Sequence, residues 1–313
     1  EQEPEARIGV LDKLTYAGHK AYLGDLLDRD RVEFYETDIA DLAAVDRIFR
    51  DFEPTGVFHL AAESHVDRSI EGPRAFLHSN VDGTFELLEA ARKYWDDGEG
   101  RFLHVSTDEV YGELEAGDEK FDEETAYDPS SPYSASKAAA DHFARAYHRT
   151  YGLDVVLTNC SNNFGPYQYP EKLIPVMIRN IRDRNELPVY GDGQNVRDWL
   201  FVEDHCRGLL CAMRDGESGR SYNIGATNEW KNLDLVKLLC DLVDDELGRP
   251  TTSRELITFV ADRPGHDQRY AVDASRIREE LGWAPRYEFR EALRRTVRWY
   301  LENLESIWGI APG

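Results

Sequence analysis

The feature that most constrains this chain is a rhythm. Short apolar runs alternate with helically spaced stretches through its first half. RIGVLD (7–12), VEFYETD (32–38), GVFHLAA (56–62), RFLHVST (101–107) and DVVLTNCSN (154–162) predict strands. Between them, DLAAVDRIFRDF (41–52), NVDGTFELLEAARKYW (80–95) and SASKAAADHFARAYHRTYG (134–152) predict helices, the last ending at Gly152. Strand–helix–strand repetition predicts an α/β fold with a doubly wound parallel sheet. Ligands of such sheets bind beyond the carboxyl ends of the strands. Thr107, Asp108 and Glu109 stand at one such end.

After Gly165 the rhythm breaks, and Pro, Asn, Gln and Tyr accumulate in NNFGPYQYPEKLIP. Residues 1–165 therefore read as a dinucleotide-binding domain and 166–313 mainly as a smaller substrate lobe. Segments near 207–234 and 276–308 are expected to return to the first domain. The aromatic run FGPYQYP suits either a lid or a core corner. A dinucleotide-binding sheet normally opens with a strand, a Gly-rich turn and a helix, and no such turn occurs here. The first βα unit reads as missing, either truncated or truly absent. Asp12 then falls after the second strand of the pattern.

Composition narrows the partners. The formal net charge is −23, which disfavours nucleic acid and anionic membranes. Only eight of the 37 basic residues are lysine. Excess acid with scarce lysine resembles proteins of salt-loving organisms, whose hydrated carboxylates need screening, so the fold is expected to need salt. No apolar run approaches the ~18 residues of a membrane span, and EQEPEARIGVLD does not resemble a leader. Cys160, Cys206, Cys211 and Cys240 are scattered, with no metal-binding spacing, and read as buried thiols in a reducing cytoplasm. No metal is expected.

Two patterns carry chemistry. Tyr133 and Lys137, four apart in SPYSASK, share one helix face. An ammonium beside a phenol is expected to lower the phenol's pKa and make it a base toward a sugar hydroxyl. Asp108 and Glu109 are adjacent acids that either divide two proton-transfer roles or sit solvated in a loop.

With DKLTYAG (12–18), LAAESHVDRS (60–69), STDEVYG (106–112), YSASK (133–137), NCSNNFGPYQYPEKLIP (159–175), RDWLFVEDH (197–205) and DRPGHDQRYA (262–271), the chain resembles the extended short-chain dehydrogenase/reductase family. The resemblance covers nearly the whole length and departs at the front. It implies a Rossmann-type sheet, NAD and the dehydration of a nucleotide-linked glucose, dTDP-glucose foremost, for deoxysugar synthesis. It also implies roles. Tyr133 with Lys137 would deprotonate the C4 hydroxyl, Thr107 would hold the C4 oxygen, Glu109 would take the C5 proton, and Asp108 would protonate the departing C6 hydroxyl. Relatives that only epimerise at C4 do not need the acid pair.

By the same resemblance Asp12, Lys13, Leu14 and Thr15 would line the adenosine ribose, and Asp38 and Ile39 the adenine. Leu60, Ala61, Ala62, Tyr133, Lys137 and Asn163 would follow the cofactor. A carboxylate at Asp12 favours NAD over NADP. Arg197 and Arg263 would grip phosphate with their planar forks, though alone each reads as readily as a salt-bridge partner. Ser64 and Thr107 would touch the sugar. Asn162, Lys172, Leu173, Tyr190, Asn232 and His266 would complete the nucleotide site. His65 reads as a packed helix-start residue. Helices near 80–95 and 134–152 would form a four-helix homodimer seam through Phe85, Leu88, Phe143 and Tyr147, residues that equally suit an internal core.

Overall fold

The structure is a computed structural model describing residues 5–96, 100–115, 117–250, 252–262 and 264–308, with side chains described to residue 305. Arg263 lies outside the described residues. Strands β1 (Ile8–Asp12) and β2 (Val32–Glu36) pair in parallel. Helix α1 (Leu42–Phe52) follows, started by the Asp41 carboxylate, which accepts from Ala44 N at 3.1 Å. Strand β3 (Gly56–His59) leads to two short helices, α2 (Val66–Glu71) and α3 (Pro73–Phe76). Helix α4 (Gly83–Tyr94) begins later than its pattern predicts, because Leu77–Asp82 forms a wider π-helical turn.

Strand β4 (Arg101–Thr107), helix α5 (Pro132–Tyr151) and strand β5 (Asp154–Cys160) complete the first half. Ser131 and Ser134 form a reciprocal cap at the start of α5, Pro132 fits its first turn, and Gly152 ends it at φ +73°. Next come β6 (Asn162–Phe164), α6 (Leu173–Asp183), β7 (Leu187–Tyr190), β8 (Val196–Phe201), α7 (Val202–Asp215) and β9 (Ser221–Ile224). They are followed by β10 (Glu229–Lys231), α8 (Asn232–Glu246), β11 (Ile257–Val260), β12 (Arg269–Tyr270), α9 (Ser275–Leu281) and α10 (Phe289–Trp308).

The main sheet runs β3-β4-β5-β9, all parallel, while β1 and β2 form a separate pair. Among the described residues β1 and β3 are not paired with each other. One face is covered by α1, α4 and α5 around Val45, Phe49, Leu88 and Phe102, and the other packs Leu103 and Val156 against Leu209, Ile277 and Trp283.

A second core forms the smaller lobe. There α6, α8 and α10 pack around Ile178, Leu239 and Leu293, beside a sheet of β10-β8-β12 joined by β6. Of the segment 276–308, α9 lies against β9 and α7, but α10 packs on α6 and α8. The expectation that this whole segment returns to the first domain is thus corrected. An amphipathic pattern says that a helix buries a face, not against which partner. Of the four residues that suit either a seam or an internal core, Leu88 and Tyr147 are buried within the chain's own core, whereas Phe143 is 38% exposed and meets Phe85 edge to face. The cysteines are all free, but only Cys240 is buried; Cys206 is exposed and the other two are intermediate.

Candidate active site

The end of β4 turns sharply into a single 3-10 turn, Asp108–Tyr111, capped by Thr107. The Thr107 hydroxyl accepts from Glu109 N at 3.3 Å and donates to Asp108 Oδ1 at 3.3 Å. This turn sends the two acids to different surroundings. Asp108 is 2% exposed, and its Oδ2 is buried with no partner among the described residues. Burial first, then the neighbouring Glu109 and Asp198, push its carboxyl well above the usual range; Arg197 opposes them. The surroundings of Asp108 therefore favour its protonated form. Glu109 lines an open cavity.

Helix α5 brings Tyr133 to the same place, where its hydroxyl hydrogen-bonds Thr107. The expected lowering of its pKa is not what this structure holds. Burial, then Glu109, push the phenol well above its ordinary value, because a buried phenolate beside a carboxylate is disfavoured. Lys137, one turn on, is itself depressed by burial and donates to Val105 O at 2.8 Å.

The remaining strand ends form a row. At β1, Asp12 Oδ1 accepts from Leu14 N at 2.7 Å, and Leu14 takes φ +50°. Gly18 is needed there, since a Cβ would stand 2.9 Å from that same oxygen. Lys13 is engaged within the chain, donating to Ser79 Oγ at 2.7 Å and meeting Asp38 at 3.4 Å. Thr15 is exposed. Asp38 follows β2; although burial pushes its carboxyl up, the Ala40 N–H, His78 and Lys13 hold it below the usual range. The Ile39 side chain is buried against Gly83, so it serves the core rather than an adenine. After β3, Leu60 is 55% exposed, and Ala61 and Ala62 present little bulk. Asn163 keeps a buried Oδ1 that has no partner among the described residues. Bare Leu60, small Ala61 and Ala62, and the orphaned Asn163 oxygen fit the two ends of a dinucleotide laid along the strand ends.

Beside this row a cavity of about 340 Å³ opens between the lobes. Ser64, Asn162, Lys172, Leu173, Tyr190, Arg197, Asn232 and His266 all line it, together with Glu109 and Asn163. Asn162 Oδ1 and Asn232 Oδ1 are buried there without partners among the described residues. Arg197 is 5% exposed, stacks over Tyr270 at 4.4 Å and donates to the carbonyls of Val196, Asp267 and Gln268. Lys172 Nζ donates to Ser64 O at 3.0 Å, tying the two lobes. His65 caps α2, its Nδ1 accepting from Arg68 N at 3.5 Å. In the aromatic run, Phe164 is core, Gln168 lines the cavity and Tyr167 is exposed.

Several supports of the site carry no signal in the sequence. Asn80 takes Glu63 N at 2.8 Å and donates to Ser136 Oγ at 2.8 Å, fastening the post-β3 loop to α5. Trp199, Gln168 and Glu171 line the cavity unforeseen. Trp199 could have been found as the second same-face neighbour of Arg197 on β8.

The family described as GDP-mannose 4,6 dehydratase matches residues 6–296. The dTDP-glucose 4,6-dehydratase of Salmonella typhimurium is 53% identical, over 97% of this chain and 88% of its own. That of Neisseria gonorrhoeae is 54% identical, over 94% and 88%. A solved dTDP-glucose 4,6-dehydratase from Streptomyces venezuelae, with NAD and TYD bound, superposes with a TM-score of 0.88 at 47% identity, covering 96% of this chain and 89% of the other. The UDP-glucose 4-epimerase of Thermotoga maritima shares the fold at 28% identity, with a TM-score of 0.86 over 97% and 94%.

Proposed function

This chain belongs to the GDP-mannose 4,6-dehydratase family, and from that premise we propose that it is a hydro-lyase dehydrating dTDP-glucose with NAD to the 4-keto-6-deoxy sugar. Relatives at about half identity bear that activity in name, and solved neighbours hold NAD. The observation that carries the reading at this site is the divided acid pair. Asp108 is buried, with its carboxyl pushed toward the protonated form, while Glu109 faces the cavity. A C4 epimerisation needs no such pair.

NAD, when bound, would supply the two-electron exchange between C4 and C6. The Tyr133 phenol is the group placed to take the C4 hydroxyl proton, and it must first be ionised against its burial. The Lys137 ammonium would act in that direction. Thr107 holds the C4 oxygen through the hydroxyl that already meets Tyr133. The resulting ketone acidifies C5–H, and Glu109 takes that proton. Asp108 gives its proton to the C6 hydroxyl, which leaves as water, and Glu109 returns its proton to C5 as hydride reaches C6, so the sugar's protons and leaving group balance. We assign Asp12, Lys13, Leu14, Thr15, Asp38, the Ile39 backbone, Leu60, Ala61, Ala62 and Asn163 to the cofactor, with Lys137. The nucleotide falls to Asn162, Lys172, Leu173, Tyr190, Arg197, Asn232, Arg263 and His266, and the sugar to Ser64 and Thr107.

The rest of the reading follows from surfaces. Phe85 and exposed Phe143 on α4 and α5 support a homodimer seam, to be checked by light scattering. Four free thiols suit a cytoplasmic setting. The net charge of −23 supports a requirement for salt; a melting temperature unchanged between low and molar KCl would remove it. The deciding experiment is product analysis with dTDP-glucose and NAD in molar KCl. A 4-keto-6-deoxy product carrying the C4 hydrogen at C6 is expected. A C4 epimer instead would overturn the reading.

A further inference from the structure

Directly beneath the catalytic helix turn lies a carboxylate that the mechanism does not use. Asp141 is one turn beyond Lys137 on α5, and it is completely buried. Buried carboxylates persist as ions only with partners. Asp141 has them from three other elements. Ser106 Oγ and the Tyr127 hydroxyl donate to Oδ2 at 2.9 Å each, and His104 Nε2 meets Oδ1 at 3.0 Å. The Asn159 amide stands at 3.5 Å from Oδ2. Tyr127 is itself held by Arg145, whose guanidinium donates to its oxygen at 3.0 Å.

Along α5, Tyr133, Lys137, Asp141 and Arg145 therefore follow one another at steps of four, a phenol followed by three ionisable groups of alternating sign. Lys137 spends one proton on Val105 O, a carbonyl of β4 next to the Ser106 that holds Asp141. Amine and carboxylate are thus pinned to consecutive residues of one strand. We propose that Asp141 is a positioning residue that keeps Lys137 charged and fixed beneath Tyr133, so that the ammonium is available to the reaction at neutral pH. The inference rests on the dehydratase reading above for its consequence in turnover, but not for the electrostatics.

The titratable surroundings support it. Facing the pair are His59 from β3, His104 from β4, Asp108 and Tyr111 from the turn after β4, Tyr127 from the following loop, Cys160 from β5, and Tyr133 and Arg145 from α5. Burial depresses both histidines and raises Asp108, Cys160 and the tyrosines, which favours the neutral form of each. Asp141 goes the other way: although burial pushes it up, His104, Lys137 and Ser106 hold it below the usual range. For Lys137, burial pushes the amine down and Asp141 pushes it back up. Removing the Asp141 charge must therefore lower the Lys137 pKa.

The test follows the ε-carbon signal of Lys137 by NMR in the full chain labelled with ¹³C-lysine. Only eight lysines are present, and Lys137→Arg assigns the signal. Asp141→Asn should titrate about one unit lower or more. Tyr127→Phe, which deletes a hydrogen bond but leaves the carboxylate charged, should keep the wild-type titration. With dTDP-glucose, kcat of Asp141→Asn should fall off at correspondingly lower pH, with KM little changed. An unshifted Lys137 in Asp141→Asn overturns the proposal, as does an equal shift in Tyr127→Phe, which would mark a packing effect. Should Asp141→Asn not fold, the wild-type titration decides: a Lys137 already neutral at pH 7 overturns it, and a charged one upholds it. Absence of turnover would count against the dehydratase reading, while the titration would still decide this one.

Discussion

Around Lys137 the amine and the carboxylate below it find partners inside the chain, whereas several amide oxygens of the neighbouring cavity have none among the described residues. Lys137 donates to Val105, and Asp141 receives Ser106, Tyr127 and His104. Asn162, Asn163, Gln168 and Asn232 keep buried side-chain oxygens without partners among the described residues. Folding has already ordered the reacting end, while the binding end keeps hydrogen-bonding capacity in reserve for a ligand. Asp108 sits between the two regimes, with one oxygen met by Thr107 and the other unpartnered. The difference separates groups expected to govern kcat from groups expected to govern KM.

The largest effect that can break this division is at Tyr133. Tyr133→Phe removes the proton acceptor and its contact with Thr107, but the ring still packs edge to face on Phe76. General acid–base groups contribute about 10²- to 10⁴-fold, so kcat should fall by roughly 10³ with NAD and nucleotide binding retained. Steady-state kinetics and a binding titration check it. A loss expressed mainly in KM would mean that the reacting end is not preorganised.

A smaller effect belongs to the cavity. Asn232→Ala deletes a buried oxygen that is free to accept from the substrate. One neutral hydrogen bond is worth about 1 kcal/mol, so KM should rise about five- to tenfold with kcat nearly unchanged. Melting should barely move, because no internal partner of that oxygen is lost. A kcat loss equal to the KM gain would place Asn232 in the transition state instead.

How far the sequence reveals these two regions differs in the same way. The reacting end was legible, because Tyr133–Lys137 and Asp108–Glu109 are local patterns at the ends of strongly periodic elements. The cavity residues were legible only through family resemblance, since Asn162 and Asn232 lie 70 residues apart and nothing local joins them. Burial was the hidden variable. It reverses the expected direction at Tyr133, takes the Ile39 side chain and Leu88 into the core, and sends α10 to the smaller lobe. Asp141 reads as an ordinary polar position in a helix until Ser106, His104 and Tyr127 are seen to converge on it.

The smallest effect compares the two buried acids directly. Asp108 has a folded pKa raised above its unfolded value of about 3.9. Its contribution to stability is full below that unfolded value and is lost as pH rises toward the folded pKa. Asp141 has a lowered folded pKa, so its contribution is present above the unfolded value and disappears as pH falls through the folded one. Asp108→Asn should therefore melt close to the wild type near pH 4 and gain on it steadily toward pH 8. Asp141→Asn should lose most near pH 8 and recover part of the loss on acidification. Melting curves at fixed KCl check both. A difference between Asp108→Asn and the wild type that stays constant with pH would mean that Asp108 ionises freely in the folded protein. The assignment of general acid would then pass from Asp108, and with it the reason for two unlike carboxylates at the end of β4.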